Sequence, residues 1–309
     1  MLIDILFIAL AVVLLWFGAN WIVDSASAIA RKFKVSELVI GLTIVAMGTS
    51  APEFLVTITA AFKGLEDISL SNVVGSNIFN LGFILGAMAM IAPIPTNRTI
   101  LYRDGMLLWG TTGLVLLMGL TGILPWWFGL LLLIGLFLYL AYLFKNGSRL
   151  GLDDCESIEC APATWKDYPK LLAGFVAIAY GGEFMVTHAS NLAAGLGVSS
   201  WAIGVTIVAA GTSLPELVTC LAASMKGRNE MLLGNLIGSD FFNFAGVLGL
   251  TCLLRPLAVS AQALPNLFVL VGMVGLVLFF IRTGWKVTRW EGAMLILINM
   301  GRWAFDFMG

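Results

Sequence analysis

The chain has 309 residues, of which 60% are hydrophobic and only 11% charged, with a formal net charge of −1. A soluble domain usually carries about 25% charged residues, and without a basic field nucleic acid is excluded as a partner. The composition fits a chain dissolved in a lipid bilayer, because about 20 apolar residues cross a membrane as a helix and such runs follow one another here.

In chain order the apolar runs predict an all-α integral membrane fold of ten transmembrane helices. The first five lie near residues 2–23, 37–62, 69–91, 101–121 and 124–144, and the second five near 169–191, 199–225, 231–254, 264–282 and 288–307. The first run has no basic stretch before it and reads as a retained helix, not a cleaved signal. The expected organisation is a five-helix repeat over 1–144, a cytoplasmic linker over 145–168 and a second five-helix repeat over 169–309.

Basic residues alternate from loop to loop. Arg31, Lys32, Lys34, Arg98, Arg103, Lys145, Arg149, Lys166, Lys170, Lys226, Arg228, Arg282, Lys286 and Arg289 fall on one side, and only Lys63, Arg255 and Arg302 on the other. The positive-inside rule puts the larger set in the cytoplasm. Both termini are then outside, which requires an even number of spans, and the expected location is the cell (inner) membrane.

The chain repeats itself at an offset of 163. VSELVIGLTIVAMGTSAPEF from Val35 matches VSSWAIGVTIVAAGTSLPEL from Val198, and SNVVGSNIFN from Ser71 matches GNLIGSDFFN from Gly234, without a gap. Five spans is an odd number, so the second copy enters the membrane from the opposite side. Inverted repeats of this kind characterise secondary transporters, whose binding sites sit at broken helices.

The chemistry lies in the same segments. In Gly48-Thr49-Ser50-Ala51-Pro52-Glu53, proline removes an amide hydrogen and disfavours helix at the residue before it. The carbonyl of Gly48 loses its usual partner. Unpaired backbone at membrane depth is tolerated only against protein or a wet cavity, and a cation can satisfy it. Beyond the break, Glu53 stands in the first turn of a new half-helix, where the helix dipole favours an ionised carboxylate. Gly211-Thr212-Ser213-Leu214-Pro215-Glu216 repeats each element. Asn72, Ser76 and Asn80, repeated by Asn235, Ser239 and Asn243, are four apart and share a helix face. Carboxylate, amide, hydroxyl and carbonyl oxygens are the ligands of hard cations such as Ca²⁺. An ionisable residue at membrane depth is a functional candidate by default, so Glu53 and Glu216 are the expected centre of an inorganic cation site.

Other residues have plainer readings. The four cysteines, Cys155, Cys160, Cys220 and Cys252, read as ordinary free thiols. His188, the twin of Ser25, reads as a packed or interfacial histidine ahead of a proton relay. Asp24 and Glu183 are placed near outer or mid-depth positions, where either could line an access path. Asp153, Asp154, Glu156 and Glu159 read as a solvated linker. Trp126, Trp127, Trp285 and Trp290 read as interface anchors.

GTSAPE and GTSLPE, with GSNIFN and GSDFFN, resemble the two α-repeats of calcium/cation antiporters, in particular prokaryotic sodium/calcium exchangers. The resemblance implies clustered sites for transported Ca²⁺ and Na⁺, with no cofactor. Glu53 and Glu216 would be the shared acids, and Thr49, Thr212, Ala46 and Ala209 would offer backbone carbonyls. Ser50, Ser213, Ser76 and Ser239 would offer hydroxyls to flanking Na⁺ sites. Asn80 and Asn243 match the amide or acid position one turn further on, where some relatives carry Asp in place of Asn243. Asp240 departs from the usual Asn, and its twin is Asn77. It is expected to modulate the site without forming its core, since it stands about 100° around the helix from the Asn235–Ser239–Asn243 row.

The leading expectation is a secondary antiporter that exchanges Na⁺ for Ca²⁺ by alternating access, with the ions held between the two repeats. No covalent catalysis is needed, so the chain is not read as an enzyme. H⁺- or K⁺-coupled exchange on the same fold is the alternative, and a passive cation channel is the alternative of another class.

Overall fold

The computed structural model describes residues 2–146, 163–197 and 209–308. Most of the linker, with Cys155, Cys160, Asp153, Asp154, Glu156 and Glu159, lies outside the described residues, as does the start of the seventh expected span at 198–208.

The described chain is mostly helical. The first half runs α1 (Leu2–Phe33), α2 (Glu37–Ile40), a π-helical turn (Gly41–Val45), α3 (Ala46–Thr49), α4 (Ala51–Phe62), α5 (Glu66–Phe79), a second π turn (Asn80–Ile84), α6 (Leu85–Ile91), β1 (Ile94–Pro95), a third π turn (Ile100–Gly105), α7 (Met106–Gly119), β2 (Ile123–Leu124) and α8 (Trp126–Asn146). The second half runs α9 (Asp167–Gly195), α10 (Ala209–Gly211), α11 (Leu214–Met225), α12 (Asn229–Phe242), a π turn (Asn243–Leu248), α13 (Gly249–Leu254), β3 (Leu257–Ala258), α14 (Leu264–Gly284), β4 (Lys286–Val287) and α15 (Arg289–Met308). Four two-residue strands accompany the helices.

Among the described residues, six helical stretches are long and apolar enough to cross a membrane: Leu2–Phe33, Glu66–Ile91, Trp126–Asn146, Asp167–Gly195, Asn229–Leu254 and Leu264–Gly284. Glu37–Thr49 and Ala51–Phe62 form a seventh candidate, bent by 48° at Ser50. The other helical stretches fall short for visible reasons. Residues 100–119 open with the charged pair Arg103–Asp104, α15 carries charge at both ends, and α11 is short where the residues before α10 are not described.

The chain forms two compact units, each taking pieces from both halves of the sequence: 1–52 with 142–235, and 53–141 with 236–309. In the first unit α1 packs along α9, and α11 lies against α1. Small residues let backbones touch, as is usual between membrane helices. A Cβ on Gly234 would stand 2.6 Å from the Leu38 carbonyl oxygen, and one on Gly41 would stand 2.8 Å from that of Met231. This crossing brings the π turn of 41–45 onto α12.

In the second unit α6 packs on α15, and α7 packs on α14. Two short antiparallel ribbons tie the ends. Ile94 pairs with Val287 and Pro95 with Lys286; Ile123 pairs with Ala258 and Leu124 with Leu257. Shifting each residue by 163 turns one ribbon into the other, register included. The same shift exchanges two glycine crossings: Gly86 meets the Gly292 carbonyl, and Gly129 meets the Gly249 carbonyl. Backbone corners with positive φ also come as twins, Lys34 with Gly197, Gly64 with Gly227 and Gly122 with Trp285. The offset seen in the sequence therefore also relates these structural features, and in the ribbons it does so at residues that are not identical to their twins.

Candidate functional site

The break in the first repeat lies at Ser50, whose φ of −80° and ψ of 9° interrupt the helix between Thr49 and Ala51. The Ser50 amide donates to the Ala46 carbonyl at 3.0 Å, and Thr49 Oγ1 reaches the same carbonyl at 3.3 Å. Ala46 O, expected as an ion ligand, thus has partners from its own turn. Ser213 repeats the geometry, with φ −91° and ψ 8°, as N-cap of α11, and Pro215 occupies the first turn. Glu53 and Glu216 both lie in the first turns of the helices that follow these breaks, and both are fully buried. The dipole at a helix N-terminus favours a carboxylate at that position.

In the first unit the two motifs meet. Ser50 Oγ donates to Glu216 Oε1 at 3.1 Å. Beside them, Thr49 Oγ1 donates to Asn235 Oδ1 at 3.1 Å, and Asn235 Nδ2 contacts Cys220 Sγ at 3.4 Å. Ala46, Thr49, Ser50, Thr212, Ser213 and Glu216 all belong to this unit. The backbone of Ala209 begins α10 there, and its side chain lies outside the described residues.

The second unit holds Glu53, Ser76, Asn80, Ser239, Asp240 and Asn243, all fully or almost fully buried. Asn72 Nδ2 donates to the Glu53 carbonyl at 3.3 Å and to Thr57 Oγ1 at 3.0 Å. Asn80 Nδ2 donates to Asp240 Oδ1 at 2.9 Å, and its repeat image is Asn243 Nδ2 donating to Asn77 Oδ1 at 3.0 Å. Asn243 also reaches Ser76 Oγ at 3.3 Å, and Asn77 Nδ2 reaches the Asp240 carbonyl at 3.0 Å. Asp240, although off the Asn235–Ser239–Asn243 row, is thus inside one network with Asn80, Asn243 and Ser76. Asn80 and Asn243 each open a π turn, a local distortion often found at functional sites. Their Oδ1 atoms are buried without a hydrogen-bond partner. Such an acceptor costs about 1–3 kcal/mol when left unmet, and a hard cation is the natural partner for it.

Several readings change in detail. Asn235 uses its oxygen on Thr49 and its amide on Cys220, so it braces the break and is not an open oxygen ligand. Cys220 is a buried thiol outside any disulfide, as read, but it is also the repeat twin of Thr57 and takes the same asparagine contact. The ungapped offset of 163 already pairs the two positions, and only the asparagine contact was missing from the sequence. Asp24 stands with residues of the basic loops, not with the site. Its carboxylate pairs with Lys226 at 2.6 Å and Lys170 at 3.7 Å, cations of the basic loops, because α1 runs on to Phe33 and carries Asp24 to that end. His188 Nδ1 lies 3.0 Å from Asp4 Oδ1, and its ring stacks on Phe7 at 4.3 Å, the packed role expected of it. Sequence reasoning missed the buried Asp104. It receives both Arg103, at 2.6 and 2.9 Å, and the Tyr139 hydroxyl, at 2.7 Å. It also missed Asn299, whose Cβ a side chain on Gly82 would meet at 2.8 Å. An acid and an arginine adjacent at a span end were the available signal for the first. A single asparagine in α15 gave none for the second.

Comparison with known proteins agrees with this chemistry. Residues 3–145 and 170–299 match the family described as sodium/calcium exchanger protein. The chain is 35% identical over 311 residues to the putative antiporter CaxA of Alkalimonas amylolytica, covering 97% of this chain and 98% of that one. It is 35% identical over 337 residues to the sodium/calcium exchanger MaX1 of Methanosarcina acetivorans, covering 96% of each. Among solved structures it is similar to the sodium-calcium exchanger NCX_Mj, with a TM-score of 0.85 and 32% identity over 97% of this chain and 98% of that one. The chain belongs to the sodium/calcium exchanger family, as a multi-pass membrane antiporter and not an enzyme.

Proposed function

We propose that this antiporter exchanges Na⁺ for Ca²⁺ by alternating access, with Glu53 and Glu216 as the central acids of the ion site. The observation that carries the reading is the Ser50–Glu216 hydrogen bond, which joins the break of one repeat to the acid of the other. A hydroxyl and a carboxylate placed together at a helix break suit a partly dehydrated hard cation. Na⁺ sites would use Ser50 and Ser213, and Ser76 and Ser239, with carbonyls of Ala46, Thr49, Ala209 and Thr212. Asn80 and Asn243 would turn their Oδ1 atoms to the ion.

The reading extends to ten spans in two inverted repeats, with 145–168 in the cytoplasm and both termini outside. Two facts support it. The ribbons, glycine crossings and positive-φ corners exchange under the offset of 163. Among the described residues the ion pairs Arg228–Glu37 and Arg255–Glu66 each join a basic residue to an acid that the ten-span plan puts on the same side. An inverted pair of repeats can exchange conformations and so alternate access, which favours a carrier over a passive channel.

The test is purified protein in liposomes, with ⁴⁵Ca²⁺ uptake measured against imposed Na⁺, K⁺ and H⁺ gradients in turn. Uptake driven by an outward-directed Na⁺ gradient is expected. Uptake driven by H⁺ or K⁺ alone would replace Na⁺ as the counter-ion, and uptake indifferent to every gradient would point to a channel.

A further inference from the structure

The corner after α14 is built unlike its repeat twin. Trp285 takes the left-handed conformation, φ 52° and ψ 32°, while its amide donates to the Ile281 carbonyl at 3.0 Å. Glycine is the usual residue at such a helix end, since a Cβ crowds the following carbonyl oxygen. The twin position is Gly122, at φ 83°. The turn itself therefore needs only glycine, and an indole is held there against backbone strain. Among the described residues Lys34, φ 53° opposite Gly197, is the other non-glycine corner of this kind, and strain retained at such a residue is a pointer to function.

Cations gather on that indole. The Arg98 guanidinium lies 5.8 Å from the ring centroid, and that of Arg282 lies 5.5 Å from it. Lys286 follows Trp285 directly, and Tyr102 stands with its ring centroid 6.4 Å away. Arg98, Arg282 and Lys286 are exposed. Among the described residues none of the three has a carboxylate within 4.0 Å. The acids of this region are engaged elsewhere, Asp104 by Arg103 and Tyr139, and Glu291 by Thr288. The fold does not demand these charges either, because the repeat twins of Arg98, Arg282 and Lys286 are the uncharged Ala261, Gly119 and Ile123.

Two guanidiniums on one ring repel each other, weakly in water and more strongly near a membrane, and an anion between or beside them relieves the repulsion. Guanidinium forks match phosphate geometry. The helices leading into the corner, α7 and α14, are apolar, and an indole at the end of a membrane helix sits at headgroup level. An anion at that depth in a membrane is a lipid phosphate, and the surrounding loops are those of the basic side, which an anionic leaflet attracts. We propose that Trp285, Arg98, Arg282 and Lys286 form a binding site for the headgroup of an anionic phospholipid.

The test is native mass spectrometry of the detergent-purified, full-length protein titrated with phosphatidylglycerol, with phosphatidylcholine of the same chains, and with inorganic phosphate. Phosphatidylglycerol is expected to bind in preference to phosphatidylcholine. With about a fivefold loss for each cation removed, R98Q/R282Q should weaken phosphatidylglycerol binding by about 25-fold. W285G copies the twin corner, so it should fold with an unchanged or higher melting temperature and still lose retained lipid. R31Q/K32Q, which removes two cations elsewhere, should bind as the parent does. Equal binding of the two lipids, or parental affinity in R98Q/R282Q, would overturn the proposal. Displacement of phosphatidylglycerol by inorganic phosphate at equal affinity would reassign the site to a free anion. If R98Q/R282Q does not fold, K286Q and W285G decide: parental affinity in both refutes the site, and weakened binding in both supports it.

Discussion

Ser50 and Glu216 are 166 residues apart in sequence, and the Ser50 hydroxyl donates to the Glu216 carboxylate at 3.1 Å. Each belongs to a copy of the same six-residue motif. A hydrogen bond to an ionised acceptor contributes about 1.5–3 kcal/mol, so S50A should weaken ion binding by about tenfold or more. Initial rates of Na⁺-dependent ⁴⁵Ca²⁺ uptake at graded Na⁺ would show it as a raised half-saturating Na⁺ concentration. An unchanged Na⁺ dependence would separate Ser50 from the ion site.

Glu53→Gln and Glu216→Gln should each abolish Ca²⁺ transport and leave a folded, monodisperse protein. The amide keeps the size of the side chain and removes the charge that a divalent ion needs. Both residues are fully buried in first helical turns. Parental ⁴⁵Ca²⁺ uptake by either variant in liposomes would defeat the assignment.

Cys220 and Thr57 occupy equivalent places, each beside an asparagine amide. C220T should therefore keep uptake within about twofold of the parent. N235A removes both the Cys220 contact and the 3.1 Å bond from Thr49, buried hydrogen bonds that contribute about 0.5–1.5 kcal/mol each. Its melting temperature should fall and its uptake should drop at least tenfold. If C220T were as damaged as N235A, the thiol would have a role of its own.

Asp240→Asn should retain Na⁺-dependent Ca²⁺ flux while shifting its pH dependence or apparent affinity. As an acceptor for Asn80, Asp240 does what Asn77 does for Asn243. Asn77 also donates to the Asp240 carbonyl, a bond that a carboxylate cannot return. Asparagine at 240 restores the reciprocal donor and keeps the acceptor. Complete loss of flux in a well-folded D240N protein would make Asp240 a primary ligand.

Single cysteines at 145 and 226, in a variant without native cysteines, should resist an impermeant thiol reagent in intact cells. A cysteine near either terminus should react. Lys226 and Lys170 share Asp24 as a partner, so they must lie on one side. Labelling of position 145 from outside would reverse the orientation or break the inverted plan.

Much of this protein was legible because a membrane imposes simple rules. Apolar length marked the helices, proline and glycine marked the interruption at Ser50, and the offset of 163 paired Glu53 with Glu216. Boundaries were less legible. The sequence pattern stops the first span near residue 23, yet α1 continues to Phe33, since nothing local ends a helix where it leaves the lipid. That overrun is why Asp24 belongs with the basic loops.

The sequence by itself determined which polar residue types stand within apolar runs, how they repeat, and that oxygen-bearing side chains outnumber soft ones there, because these are properties of composition and spacing. Only the tertiary structure decided how those residues share their hydrogen bonds. It committed Asn235 to Thr49 and Cys220, drew Asp240 into the Asn80–Asn243 network, and placed two arginines on the strained indole of Trp285. The reason is physical. An amide has a fixed number of donors and acceptors, and which of them remain open depends on partners brought from more than a hundred residues away.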